Sequence, residues 1–168
     1  AVKIYAGKES ASRARSIKEQ REINQLLVSH AQAGKRVVRL KGGDPFIFGR
    51  GAEEGEYLQR HGISFEVVPG VSAGTGVPAY AGIPITDRRF ASQVTFVTAN
   101  EDPQKGNSSV DWTQFARLPG TLVLFMGVRA LPLIIRALIA GGKKKTTPVA
   151  IIESGTLPEQ RVLEGTLE

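Results

Sequence analysis

The chain has 168 residues, 41% of them hydrophobic, enough to bury a core as one domain or two small ones. It contains no cysteine, and its two histidines, His30 and His61, are not paired at ligand spacing, which excludes a disulfide framework, thiolate chemistry and a conventional metal centre. Lys+Arg 22 against Asp+Glu 16 leaves a net charge of +6, so the surface attracts anions without specifying which.

"VKIY" (Val2 to Tyr5) predicts a strand ended by Gly7. Ser16 and Glu19 form an S-x-x-E capping box, after which Ile23, Leu26, Leu27 and Ala31 recur at helical spacing until Gly34 stops the helix. "RVVRL" (Arg36 to Leu40) reads as a buried-type strand, "AEEGEYLQRHG" as a short helix closed by Gly62, and "ISFEVVPG" as a third strand. Strands alternating with helices imply parallel pairing through right-handed crossovers. "VSAGTGVPAYAGIPI" predicts a strand-to-helix turn at Val71 to Ala73 and a short helix broken before Ile83. From Gln93 the pattern restarts with the strand "QVTFVTA", a polar loop, a short helix from Trp112, the strand "TLVLFMG", the helix "LPLIIRALIAGG" and the strand "TPVAIIESG". The longest apolar runs fall far short of the ~20 residues of a membrane span, no signal-peptide segment opens the chain, and a reducing, cytoplasmic location is expected. A chain that starts at Ala1 and stops inside a periodic segment reads as a piece of something longer. The composition shift near Asp87 to Ala91 marks the expected hinge, giving an N-terminal α/β lobe over 1–88 and a C-terminal one over 89–168.

"RLKGGDPFIFGRG" (Arg39 to Gly51) holds four glycines in thirteen positions, so much backbone freedom that close approach by a ligand or tight turning is expected there. It is one of four glycine-bearing loops at predicted strand ends, with Gly70 to Gly74, Met126-Gly127 and Ser154-Gly155. In open parallel sheets ligands settle at such ends. "GRGAEEG" has the wrong third spacing for a dinucleotide fingerprint, and no G-x-x-x-x-G-K-[ST] occurs, so the expected ligand is small and held largely by main chain.

"VVRLKGGDPFIFGRGAEE", "VVPGVSAGTGVPAYAGIPIT", "GTLVLFMGV" and "ESGTLPEQRVLEGTL" together resemble the tetrapyrrole methylase family, and within it the enzymes that methylate uroporphyrinogen III. The resemblance covers nearly the whole chain. It implies an α/β two-lobed fold, with a mostly parallel sheet in the first lobe and a mixed sheet in the second, and S-adenosyl-L-methionine bound in the cleft between them. It further implies a homodimer, S-adenosyl-L-homocysteine as product, and two C-methylations of uroporphyrinogen III leading to precorrin-2, without choosing between sirohaem, haem d1 and cobalamin downstream. Carried over by position, Gly42, Gly43, Asp44 and Ile47 match cofactor contacts from the first lobe, Ser72 and Ala73 a small-residue pair at the next loop, and Met126 and Gly155 contacts from the second lobe. Asp44 is expected to face a cationic group of the cofactor. Arg50, Glu53 and Arg88 match positions used in substrate binding or turnover, and Lys8 a proposed proton donor.

Some family features are expected upstream of Ala1, namely a first cofactor loop and an aspartate acting as general base. Asp87 stands where the family has a histidine and Ala52 where it has a glycine, and the segment from Lys8 to Asn24 is about three residues longer than the family's link, departures that bear on rate and substrate preference. "RVLEGTLE" is expected to begin a strand and helix, leaving an exposed edge, and the chain by itself is expected to bind cofactor weakly. A related S-adenosyl-L-methionine-dependent methylase acting on another tetrapyrrole or on RNA, and a noncatalytic dimerising fragment, are the competing readings. "RAR" at Arg13 to Arg15 and "KKK" at Lys143 to Lys145 lack interleaved aromatics, so neither a nucleic-acid nor a membrane partner is expected.

Overall fold

A computed structural model describes residues 2–6, 13–100 and 110–168, with the backbone alone for 13–19. The chain divides into two compact units, Ala1–Gly70 and Val71–Glu168. The stretch expected to form the hinge falls inside the second unit, where Asp87 and Ala91 close a tight turn through an isolated antiparallel bridge.

In the first unit, α1 (Arg13–Gln32) packs on α2 (Gly51–Arg60). α1 begins three residues before the expected capping box, so Ser16 lies inside the helix; arginine and alanine are good helix formers and extend it backwards. Its buried stripe is Gln20, Ile23, Asn24, Leu27 and Val28, whereas Leu26 is exposed. Gly34 and Gly62 take positive φ after the two helices, as the expected stops require.

The strands expected at Val2 to Tyr5, Arg36 to Leu40 and Ile63 to Gly70 carry no ladder among the described residues. No parallel ladder is therefore formed among the described residues of the first unit. Apolar alternation reports how side chains could be sorted between two faces, but a strand also needs a neighbour whose N–H and C=O groups lie in register. Between Arg36 and Lys41 the sorting is the reverse of a buried strand: Val38 and Leu40 are 81% and 85% exposed, while Arg39 and Lys41 turn inward.

The second unit holds α3 (Ala73–Tyr80), β1 (Val94–Thr98), α4 (Trp112–Phe115), β2 (Thr121–Phe125), α5 (Leu131–Ala140), β3 (Pro148–Glu153) and β4 (Arg161–Thr166), so the α/β pattern read after Val71 is present. β1 pairs with β2 in parallel, Val94 opposite Thr121, and β3 pairs with β4 antiparallel, Pro148 opposite Thr166. These are two separate two-stranded sheets rather than one mixed sheet. Ile134 (2% exposed), Leu138, Ala116 and Leu167 form the core, flanked by Trp112, Phe115, Leu122 and Leu124. α3 lies against β2, where Phe96 and Phe125 meet edge to face at 6.0 Å between ring centroids. The helix can sit so close because residue 74 is glycine: a Cβ there would stand 2.8 Å from the Phe125 ring.

Candidate functional site

The first unit carries six of the expected site residues on one loop and the helix that follows it. Gly42, Gly43, Asp44 and Ile47 run into Arg50, the N-cap of α2, and Glu53 lies in that helix's first turn. Much of the glycine density in this loop answers to the chain itself. Added Cβ atoms at Gly49 and Gly51 would meet the Pro45 carbonyl at 2.7 and 2.5 Å, and one at Gly70 would press into the Gly43 carbonyl oxygen. Gly42 differs, with nothing within 4 Å of its would-be Cβ. Close approach by a second molecule is therefore open at Gly42, while the neighbouring glycines serve the turn.

Asp44 closes this turn with both carboxylate oxygens. Oδ1 accepts from the Phe46 N–H at 2.8 Å and Oδ2 from the Gly70 N–H at 3.0 Å, across 26 residues of sequence. The aspartate expected to face a ligand cation thus ties two loops together, and only its remaining lone pairs are available to a ligand. The Gly70 N–H, then that of Phe46, holds its carboxyl below the usual carboxylate range. A depressed folded-state pKa means stability supplied above the unfolded value of about 3.9 and lost as pH falls through the folded value. Carbon-detected NMR titration of Asp44 should give a midpoint below that of a free aspartate, and the Gly70 amide should lose its hydrogen-exchange protection over the same acid window; an ordinary midpoint would contradict the two-loop tie.

Arg50 and Glu53 form a bidentate pair, Nε to Oε1 at 2.9 Å and Nη2 to Oε2 at 2.6 Å. Arg50 reaches it from a left-handed backbone, φ 59 and ψ 19. Among the described residues the non-glycine positions with positive φ are Phe48, Arg50, Met126, Ser154 and Thr156. Four of them fall in loops picked out from the sequence and Thr156 directly follows one, and left-handed backbone at a residue with a Cβ costs about 1–2 kcal/mol. Such strain gathers where a chain must hold a group in one direction.

In the second unit Ser72 caps α3, its Oγ accepting from the Gly74 N–H at 3.2 Å, so Ala73 opens the helix. Met126 follows β2 directly and is exposed. Asn100, beyond the end of the parallel neighbour β1, reaches the Met126 sulfur with its Nδ2 at 3.8 Å. Gly155 follows β3, and a Cβ on it would run into Val77 of α3. Ser72, Ala73, Met126 and Gly155 thus sit around α3 and the carboxyl ends of the strands it covers, and Gly155 is glycine because α3 packs on it. Arg88 stands apart in the Asp87–Ala91 turn. Asp87 gives both oxygens to Arg89 at 3.1 Å, leaving Arg88 exposed with no ion-pair partner among the described residues. Lys8 lies outside the described residues.

Glu54, the neighbour of the expected Glu53, is the buried acid among the described residues of the first unit. Its side chain is 6% exposed and receives Lys41 Nζ at 2.8 Å, Arg39 Nε at 3.3 Å and Gln20 Nε2 at 3.1 Å. Burial pushes its carboxyl up, but hydrogen bonds from Lys41 and Gln20 and the charges of Lys41 and Arg39 outweigh this and hold it below the usual range. The period-two spacing of Arg39 and Lys41, which puts two cations on one side of an extended segment, was the sequence signal for a buried counter-charge.

The model of the Tetrapyrrole (Corrin/Porphyrin) Methylases matches residues 2–168. The chain belongs to the tetrapyrrole methylase family. It is 52% identical over 167 residues to an S-adenosyl-L-methionine-dependent uroporphyrinogen III methyltransferase of Methanosarcina barkeri, a match spanning 99% of this chain and 64% of the relative. It is 50% identical to a sirohaem synthase of Thiobacillus denitrificans, covering 99% of this chain but 34% of that protein. The chain thus spans less than two thirds of the length of these curated relatives. Its fold matches the crystal structure of a Thermus thermophilus uroporphyrin-III C-methyltransferase complexed with S-adenosylhomocysteine, TM-score 0.76 and 40% identity over 88% of this chain and 64% of that one. A cobalt precorrin-4 methyltransferase matches with the same TM-score at 26% identity, so this tetrapyrrole methylase shares its α/β fold across substrates.

Proposed function

We propose that the protein containing this chain transfers methyl groups from S-adenosyl-L-methionine to carbon atoms of uroporphyrinogen III, twice in succession, and works as a homodimer. The observation that carries this reading is the open approach at Gly42, between clamped neighbours, in a chain whose relatives are named for this donor and this substrate.

A fit of the donor is supported by the main chain left open at Gly42. The bound donor supplies an electrophilic methyl carried on a sulfonium. The main chain at Gly42 and Gly43 would hold its polar portion, with Ile47 of the same loop as a further contact. Holding the two reactants in line, rather than acid–base work by a side chain, accounts for rate enhancement of this type, and orientation is worth up to about 7–11 kcal/mol. Arg50 would take a carboxylate of the substrate, because a planar guanidinium binds one in bidentate fashion. Glu53, already paired with Arg50, would set the direction of that fork, and the surplus of basic residues suits a polyanionic ring.

The test is methyl transfer. The intact protein, given methyl-labelled donor and uroporphyrinogen III under reducing, anaerobic conditions, should yield singly and then doubly methylated product. Label appearing in RNA and not in the tetrapyrrole would replace this reading with the RNA-directed one.

A further inference from the structure

We propose that Glu54 is a positioning residue for the donor loop, acting through Lys41 on the Gly42–Gly43–Asp44 backbone. This rests on the reading of that loop as the donor site.

The loop is held at both ends. Downstream, Asp44 Oδ2 accepts from the Gly70 N–H at 3.0 Å. Upstream, Lys41, the residue directly before Gly42, drives its ammonium onto Glu54 Oε2 at 2.8 Å, with a side chain only 11% exposed. Both anchors stand on one frame, because α2, which carries Glu54, is seated on the segment leading to Gly70. Gly55 is buried with the Phe65 ring against it, where a Cβ would stand 2.5 Å from the ring. α1 joins the frame through Gln20, which donates both to Glu54 and to Asn24 Oδ1, each at 3.1 Å.

Between the clamps lies Gly42, the residue open to a ligand. The clamp is electrostatic as well as steric. Arg39 and Lys41 converge on the same carboxylate, so removing its charge leaves two inward-facing cations with no counter-charge, and the short way to relieve them is for Lys41 to swing to solvent. Its backbone would carry the Gly42 peptide with it, and so displace the main-chain groups that would bind the donor. Glu53 cannot substitute, since its carboxylate is exposed and engaged with Arg50.

The experiment compares Glu54→Gln, Lys41→Met and the double variant in the intact protein, by calorimetry with S-adenosyl-L-homocysteine, steady-state kinetics and urea melts. Glu54→Gln should weaken S-adenosyl-L-homocysteine binding and raise the donor KM about tenfold or more, with kcat and the tetrapyrrole KM nearly unchanged. Lys41→Met should reproduce that loss, and the double variant should regain part of the stability, since only the more exposed Arg39 then lacks its counter-charge, without regaining affinity. Affinity that returns together with stability, or a folded Glu54→Gln that binds like the parent, would overturn the proposal. If Glu54→Gln alone does not fold, the double variant decides. Gly42→Val separates this from the underlying reading. If it leaves S-adenosyl-L-homocysteine binding intact, the loop is not the donor site and both ideas fall. If it abolishes binding while the Glu54 and Lys41 variants bind normally, only the positioning role is lost.

Discussion

Gly70→Ala should unfold or severely loosen the first unit, with a loss of about 2–4 kcal/mol in urea melts and no detectable S-adenosyl-L-homocysteine binding. The added methyl would press into the Gly43 carbonyl oxygen, and that oxygen belongs to a turn already fixed by φ 72 at Gly43 and by the Asp44 carboxylate. Neither partner is the end of a flexible side chain, so the two loops must separate. Separation also breaks the Gly70 N–H bond to Asp44, and the steric and hydrogen-bonding losses fall on the same contact. Ala at Gly42, by contrast, meets nothing within 4 Å and should leave the melt nearly unchanged. Equal stability of the Gly70 and parent proteins would mean that the contact between these loops is not part of the folded state.

Arg50→Lys should raise the tetrapyrrole KM by about ten- to a hundredfold while leaving the donor KM and the urea midpoint near the parent's, the size expected for losing a charge-assisted, bidentate carboxylate contact. The stability half of this expectation follows from exposure. The Arg50–Glu53 pair is largely open to solvent, and such pairs contribute less than about 1 kcal/mol. The kinetic half follows from geometry, since Arg50 holds a left-handed backbone at the head of α2 with its fork fixed by Glu53. A lysine carries the charge but not the fork. If KM for the tetrapyrrole were unchanged, Arg50 would be a helix-terminal surface charge, and the substrate's carboxylates would have to be sought by other cations, Arg88 first.

The helices were legible because each is a local object. Their period, the stops at Gly34 and Gly62 and the turn into α3 at Val71 to Ala73 act within a few residues, and the structure departs from them by the earlier start of α1 and the exposure of Leu26. The loops that carry the candidate site were legible as well, from glycine density and from four quoted stretches that resemble one family, which the match over residues 2–168 supports. The strands of the first unit were not. "RVVRL" alternates as a strand should, yet whether a backbone ladder forms depends on what lies alongside it, and that is not written in the segment.

The residues of this chain determined by themselves its family, its helices, the α/β alternation after Val71 and the loops that carry the candidate site, since these follow from side-chain type and short-range spacing. Only the tertiary structure decided what each loop residue faces. It placed the Asp44 carboxylate on the Gly70 N–H, put Gly49, Gly51 and Gly70 against the protein's own backbone, left Gly42 open, and buried Glu54 rather than Glu53. The physical reason is that a hydrogen bond or a steric contact between residues 44 and 70, or 41 and 54, depends on a distance that chain connectivity leaves free, and packing alone sets it.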